Sequence, residues 1–383
     1  MGQSADQVLQ QSLELIKGLG SDGLTGEADG IVTFVELSVP LVARLCERLG
    51  LPGPPPAAVD AARDKHATRA ALKRASLPTP RNFLIRSEAQ LNAAASHVGF
   101  PAVLKPVSGA ASLGVAKVES QNELIATYRK VIAELSSLVV VSGALAQGDG
   151  SGQGVQADKV VNMTVLLEQY LDGQEVDIDV VVSDGEWRYA AITDNGPTVE
   201  PWFNETWGVC PSLLPIDRQR ELKDLAIASV EALGFPMGVF HVELKYTSTG
   251  PQLIEVNARM GGGPVYEQNM RTWGVDLVEE AIFIALGIPA RPRVPKAPLE
   301  PTAYYLVPAT RSGAAQGIPD TAEMSKLPGV IWAKGLVKKG DKVTGPEDGM
   351  PTWVQDIMVR GQTAKEALDR VFAVVEQYPV QVG

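Results

Sequence analysis

The chain has 383 residues and a formal net charge of −11, with 45% hydrophobic and 21% charged residues. Those values belong to an ordinary globular protein of two or three domains, long enough to bury a sizeable core. The acidic balance argues against a duplex nucleic-acid surface but leaves room for local positive charge on small anions.

Three histidines, His66, His97 and His241, and two cysteines, Cys46 and Cys210, give neither a zinc motif nor a disulfide framework. A reducing, cytoplasmic compartment is expected. The start, MGQSADQVLQ, lacks the apolar run of a signal peptide, and Asp6 stands where a myristoylation signal needs Ser or Thr. The longest apolar run, AIFIALGI, is too short to cross a bilayer, so no membrane partner is expected.

In chain order, 5–18 has helical spacing, GIVTF (30–34) reads as a buried strand, and 39–49 reads as a helix stopped by Gly50 and LPGPPP. A helix is expected over 57–76, ended by PTP. Alternation then predicts the strand FLIR, a helix over 87–98, the strands PAVLKPV and VAKV, and a helix over 121–136. Residues 142–159 are polar, glycine-rich and aperiodic, and are expected to form a mobile surface loop, as are 108–114. TVLLEQYL, EVDIDVVV and WRYAAIT are expected strands. After them come an aromatic loop (193–211), a helix (217–233), strands at 238–246 and 252–259, and a helix (276–287). The tail mixes strands (AYYLVP, VIWAKGLV, WVQDIMVRG) with a helix at 363–377.

GVFHVELKYTSTGPQLIEVNAR reads as a hairpin around TSTGP. A turn near Thr249 sets Glu243 opposite Glu255 and His241 opposite Asn257. Ile254, Val256 and Ala258 then face the core. Facing carboxylates destabilise a sheet unless something offsets them. Mg²⁺ does so, because it takes oxygens from one or two carboxylates and from substrate phosphates. Asn257 supplies a neutral oxygen, Arg259 a fork suited to phosphate or carboxylate, and Gly261, Gly262 and Gly263 allow close backbone approach. The plain alternative is a solvated face with a Glu255–Arg259 ion pair.

A phosphate site recurs upstream. Lys105 sits inside an apolar strand before a loop holding Ser108, Gly109, Ser112 and Gly114, where backbone N–H groups and hydroxyls can cradle phosphates. The alternative there is an ordinary glycine-rich hairpin. In LLEQYLDGQE, Glu168 precedes two backbone positions, Gln169 and Leu171, able to pair with a purine edge, and Glu175 is spaced to take a ribose hydroxyl.

Taken together, these residues resemble the ATP-grasp superfamily. The resemblance covers the chain from about Asp29 onward. Asp64-Lys65 and Lys105 match its two lysine motifs, Ser108–Gly114 its phosphate loop, and Glu168, Gln169, Tyr170 and Leu171 its adenine hinge. Glu175 matches its ribose acid, Glu243, Glu255 and Asn257 its metal ligands, and Arg259 its catalytic arginine, with Lys105 sharing the catalytic role. Within the superfamily, TDNGPTVEPWFNET, GVFHVELK and LIEVNARMGGG are most similar to carnosine synthases and L-amino acid ligases.

The resemblance implies an α/β (α+β) ATP-grasp fold with two α+β subdomains gripping ATP. A partial Rossmann-like βα segment would occupy 1–56, the first subdomain 57–165, the second 166–295, and a C-terminal α/β extension 296–383. It implies ATP, two Mg²⁺ ions (replaceable by Mn²⁺) and amino-acid substrates joined through an acyl phosphate, with ADP as product. Relatives carry a full Rossmann-like domain before the first lysine, whereas about 60 residues precede Asp64 here.

Substrate contacts are expected from Asn195, Trp202, Glu205, His241, Gly261 and Gly262, with Phe203 and Trp207 adding cation–π faces. The alternative is a lid whose aromatics merely pack. His241 is expected as a hydrogen-bond partner rather than a base. Two other functions stay open: an ATP-binding protein without turnover, and an ATP-grasp carboxylase. A homo-oligomer is also left open.

Overall fold

The computed structural model describes residues 4–18, 28–108, 114–141, 144–147, 155–156 and 164–383. Gly109, Ser112 and most of 142–159 lie outside the described residues. Two sheets frame the molecule. The smaller has four strands, Asn82–Ile85, Val165–Gln169, Ala102–Pro106 and Ala116–Val118, in that spatial order. Helices Leu91–Val98 and Gln121–Ser137 supply its apolar cover, with Leu91, Ala94, Leu124 and Leu135 buried against Leu104 and Leu167.

The larger sheet has eight strands, in the order Gly250–Asn257, Gly238–Thr247, Gln174–Ser183, Glu186–Asn195, Trp207–Cys210, Thr302–Pro308, Trp353–Arg360 and Val330–Gly335. It continues through the expected boundary near 295, because Trp207–Cys210 pairs with Thr302–Pro308. Helix Ile216–Ala232 covers one face, where Leu222, Leu225, Ala226 and Val230 meet Ile178, Val180, Val242 and Leu253. Burying each leucine, isoleucine or valine side chain of this set contributes about 1.5–3 kcal/mol. No helix among the described residues is long and apolar enough to cross a membrane.

Three local expectations are corrected. GIVTF forms no strand: residues 30–35 run irregularly into a 3₁₀ turn at Glu36–Ser38, and Val32, Phe34 and Val35 are exposed. A strand needs a neighbour for its N–H and C=O groups, and no described segment pairs with this one. The βα segment is therefore a helix, Val39–Leu49, behind an irregular lead. The expected helix over 57–76 is two helices, Pro56–Arg63 and Lys65–Arg74. Asp64 breaks them in an extended conformation and caps the second by accepting from the Ala67 N–H at 3.0 Å. Finally, the expected loop over 142–159 contains two short strands, Ala144–Gln147 and Val155–Gln156, which pair with Leu138–Val141. The β-rich run LVVV finds its partners there, so the polar composition around it misled.

Candidate active site

The hairpin has the expected register at its functional end, with Glu243 opposite Glu255 and His241 opposite Asn257. One detail differs. Leu244 pairs with Leu253, so Ile254 is an extra residue, a β-bulge. The bulge puts Leu253 in the core with Val256, while Ile254 lines the cleft beside Glu255. Ile254 does not join the buried face predicted by simple alternation.

A cleft opens between the two sheets. Lys65, Lys105 and Pro106 line it from one side, Glu168 and Gln169 from the end of the strand Val165–Gln169, Tyr170 and Leu171 from the connection between the sheets, and Glu175, Glu205, Glu243, Lys245 and Glu255 from the other. Ten of these, all but Pro106 and Lys245, are expected site residues, and they meet at one place although they come from segments far apart in sequence.

Its charges are paired across the elements. Lys65, the first residue of its helix after the break at Asp64, forms an ion pair with Glu255. Burial opposes both charges, but their mutual attraction wins, holding Lys65 above and Glu255 below their ordinary ranges. Burial, with the charges of Glu255 and Asp177, pushes Glu243 well up. The Asn257 amide donates to Glu243 Oε1 at 3.1 Å, which leaves the Asn257 carbonyl oxygen free to ligate. Two carboxylates and an amide oxygen, one carboxylate starved of countercharge, form a donor set that fits a hard divalent cation. Among the described residues, no cluster of three or more His, Cys, Asp or Glu offers a different site.

Lys105 Nζ donates to Glu168 Oε1 at 2.5 Å. Burial, helped by Arg69 and Lys65, lowers the Lys105 pKa against the pull of Glu168. Burial opposes ionisation of Glu168, yet Arg69 and Lys105 together hold its pKa at about 2. Glu168 is thus a buried central-strand residue. Gln169 donates its N–H to the Arg81 carbonyl, so its own carbonyl is the backbone group it can offer a ligand. Glu175, raised to about 7 mainly by burial, lies 3.4 Å from Lys245. Gly114 has φ +73°, the left-handed turn that leads out of the small-residue loop into Ala116–Val118. Ser108 is described but does not line the cleft.

Other residues lie elsewhere. Arg259 is outside the cleft lining. Its Nε is 2.8 Å from Glu36 Oε2, an ionic contact without hydrogen-bond alignment, and its Nη1 donates to the Met260 carbonyl. Neither half of the simple Glu255–Arg259 pair forms, because each finds another partner. His241 lies between Asp179 (2.9 Å) and Asp177 (3.6 Å). Burial opposes its charge, but the two carboxylates raise its pKa to about 10. A Cβ on Gly261 would sit 2.6 Å from His241 Nδ1, so this glycine makes room for the imidazole; Gly262 faces open space.

Asn195 is buried and its Oδ1 lacks a partner, while its side chain bonds to Asp177. Trp202 is taken out of the cleft: its indole N–H donates to Pro346 and Lys130 covers its ring at 4.4 Å. Trp207 packs edge-on to Phe372, so of the three aromatics only Phe203 reaches the cleft.

Four polar residues escaped the sequence reading: Arg69, Asp177, Asp179 and Lys245. Arg69 follows Lys65 by four positions, one helical turn on the same face. Asp177 and Asp179 alternate with Glu175, and Lys245 with Glu243, so strand periodicity alone could have placed them.

Comparisons with known proteins identify the family. An ATP-grasp domain model matches residues 98–267, and an ATP-grasp N-terminal domain model matches 25–53. The chain is an ATP-grasp domain protein. It is related to carnosine synthases and L-amino acid ligases. Carnosine synthase 1 of Gallus gallus is 36% identical over 76% of this chain and 30% of its own length. Alanine–anticapsin ligase of Bacillus subtilis is 29% identical over 66% of this chain and 52% of its own. The chain therefore spans about a third to a half of the length of these curated relatives. The crystal structure of an L-amino acid ligase from Bacillus licheniformis superposes with TM-score 0.81 at 22% identity, covering 98% of this chain and 85% of that one. The ATP-grasp family uses ATP with Mg²⁺.

Proposed function

We propose that this ATP-grasp protein is an ADP-forming ligase that joins a carboxylate to an amine, both from amino acids, through an acyl phosphate. The observation that supports this most is the cleft itself. It sets two cations, half-buried Lys65 and buried Lys105, against a carboxylate pair, Glu243 and Glu255, between two sheets. Cations on one wall and metal-binding carboxylates on the other suit a triphosphate carrying Mg²⁺.

In this reading the carbonyl of Gln169 and the backbone of Leu171 meet the purine edge, Glu175 and Lys245 the ribose side, and Lys65 and Lys105 the phosphates, with Ser108, Gly109, Ser112 and Gly114 as the phosphate loop. Glu243, Glu255 and the Asn257 carbonyl oxygen hold Mg²⁺, which when bound neutralises phosphate charge. The substrate carboxylate, already ionised near pH 7, attacks the γ-phosphorus and ADP leaves. The amine then attacks the acyl carbon, and phosphate departs with the C–O bond electrons while the amine proton goes to solvent.

Arg259 stabilises charge on the transferring phosphoryl group, from a position set by Glu36. Glu205, Asn195 and Phe203 are the groups we assign to the amino-acid side. His241, already charged and bonded, organises Asp177 and Asp179 rather than accepting a proton. Dipeptide formation of the carnosine type is the specific activity proposed, in the cytoplasm. Phosphate release measured with MgATP and a panel of paired amino acids tests it. Release that needs both amino acids supports the ligase, and release indifferent to amino acids contradicts it.

A further inference from the structure

Arg69 has no role in the mechanism so far, yet it is one of the largest fully buried side chains, with 2% exposure. Its Nε donates to Glu168 Oε2 at 2.7 Å and its Nη2 to Glu168 Oε1 at 3.0 Å, a two-pronged guanidinium–carboxylate pair. Nη2 also donates to the Ile254 carbonyl at 2.7 Å, the carbonyl of the bulged residue. Arg69 thus joins the helix after Asp64, the central strand of the small sheet and the hairpin that carries Glu255.

Glu168 Oε1 also receives Lys105 Nζ, so two cations share one carboxylate. That arithmetic decides what Lys105 can do. A Lys105–Glu168 pair alone would be neutral and would offer a phosphate nothing. With Arg69 neutralising Glu168, one full positive charge remains, on the side chain that lines the cleft. We propose that Arg69 is the positioning residue that satisfies Glu168 and frees the charge of Lys105 for an anionic ligand, the phosphates of a nucleotide. The proposal rests on the nucleotide reading of the cleft.

The same arithmetic gives a result that a merely structural arginine would not. Arg69→Met leaves Glu168 to capture Lys105. Adding Glu168→Gln removes the captor, so the double variant binds nucleotide better than the single one. The test is calorimetric titration of the full chain with Mg²⁺ and a non-hydrolysable ATP analogue, with folding checked by circular dichroism. Arg69→Met is expected to bind about 10–100-fold more weakly than wild type, and the double variant within about 5-fold of wild type, the non-additivity of groups in one network.

If the single variant does not fold, the double variant, which removes the charges of Arg69 and Glu168 together and leaves Lys105 as the one cation of the three, still decides. Binding within about 5-fold of wild type supports the proposal, and binding about 50-fold weaker overturns it. A double variant no tighter than a folded single variant also overturns it, as does a single variant that binds like wild type. A wild-type chain that binds no analogue removes the nucleotide reading, and this proposal with it; a wild-type chain that binds, without recovery in the double variant, removes this proposal alone.

Discussion

Gly261 and Gly262 are adjacent and identical in chemistry, yet the structure predicts opposite outcomes for an added methyl group. In Gly261→Ala the new Cβ lies 2.6 Å from His241 Nδ1, 2.6 Å from Val265 Cγ2 and 2.9 Å from His241 Cε1. Neither neighbour yields easily. His241 is held by Asp179 at 2.9 Å, and both it and Val265 are buried. Overpacking of this kind costs about 1–3 kcal/mol. Relief by moving the imidazole also loosens a hydrogen bond between two charged groups, of about 1.5–3 kcal/mol. A loss of about 2 kcal/mol, or about 4–8 °C in Tm for a cooperative unit of 150–250 residues, is expected. In Gly262→Ala nothing lies within 4 Å of the new carbon, and the change should stay within about 0.5 kcal/mol. Denaturant unfolding of the two variants side by side measures the difference. Equal effects, or a neutral Gly261→Ala, would refute the packing role given to Gly261.

Glu255→Gln and Arg259→Ala should fail differently. The first should raise the Mg²⁺ requirement, because it removes the carboxylate that Lys65 holds ionised. The second should leave MgATP binding within several-fold in calorimetry while kcat falls by roughly 10²–10³. Asp64→Ala should cost about 1 kcal/mol in unfolding experiments by uncapping Lys65–Arg74, and should raise KM for ATP more than it lowers kcat. Glu168 has a folded pKa of about 2 against an ordinary 4.5, so its stabilisation is complete above 4.5 and is lost as pH falls toward 2. This is on the order of 3 kcal/mol, and acid unfolding of Glu168→Gln should lack that part of the slope.

Most of the site was legible because strand and helix periodicities fix side-chain direction. The facing pair Glu243 and Glu255 followed from the turn position, and the buried lysine Lys105 from its apolar neighbours. The bulge was not legible: Leu253 and Ile254 are equally apolar, and only the packing of Leu253 with Val256 under helix Ile216–Ala232 selects which residue is extra. GIVTF misled because its β-branched residues carry strand preference without a partner strand. Trp202 and Trp207 misled because an aromatic in a loop can serve packing as well as binding, and Pro346 and Phe372, which claim them, lie more than a hundred residues away. Arg259 showed its charge in the sequence, but its anchor, Glu36, is distant in the chain and carries no motif.

The central claim is an acyl phosphate formed from an amino-acid carboxylate. Its most direct test supplies ATP, Mg²⁺ and amino-acid pairs whose carboxylates carry ¹⁸O, then measures nucleotide and phosphate by mass spectrometry. The account predicts ADP and inorganic phosphate bearing one ¹⁸O atom from the carboxylate, together with an amide-linked product. AMP and pyrophosphate, or phosphate free of ¹⁸O alongside an amide product, would contradict it.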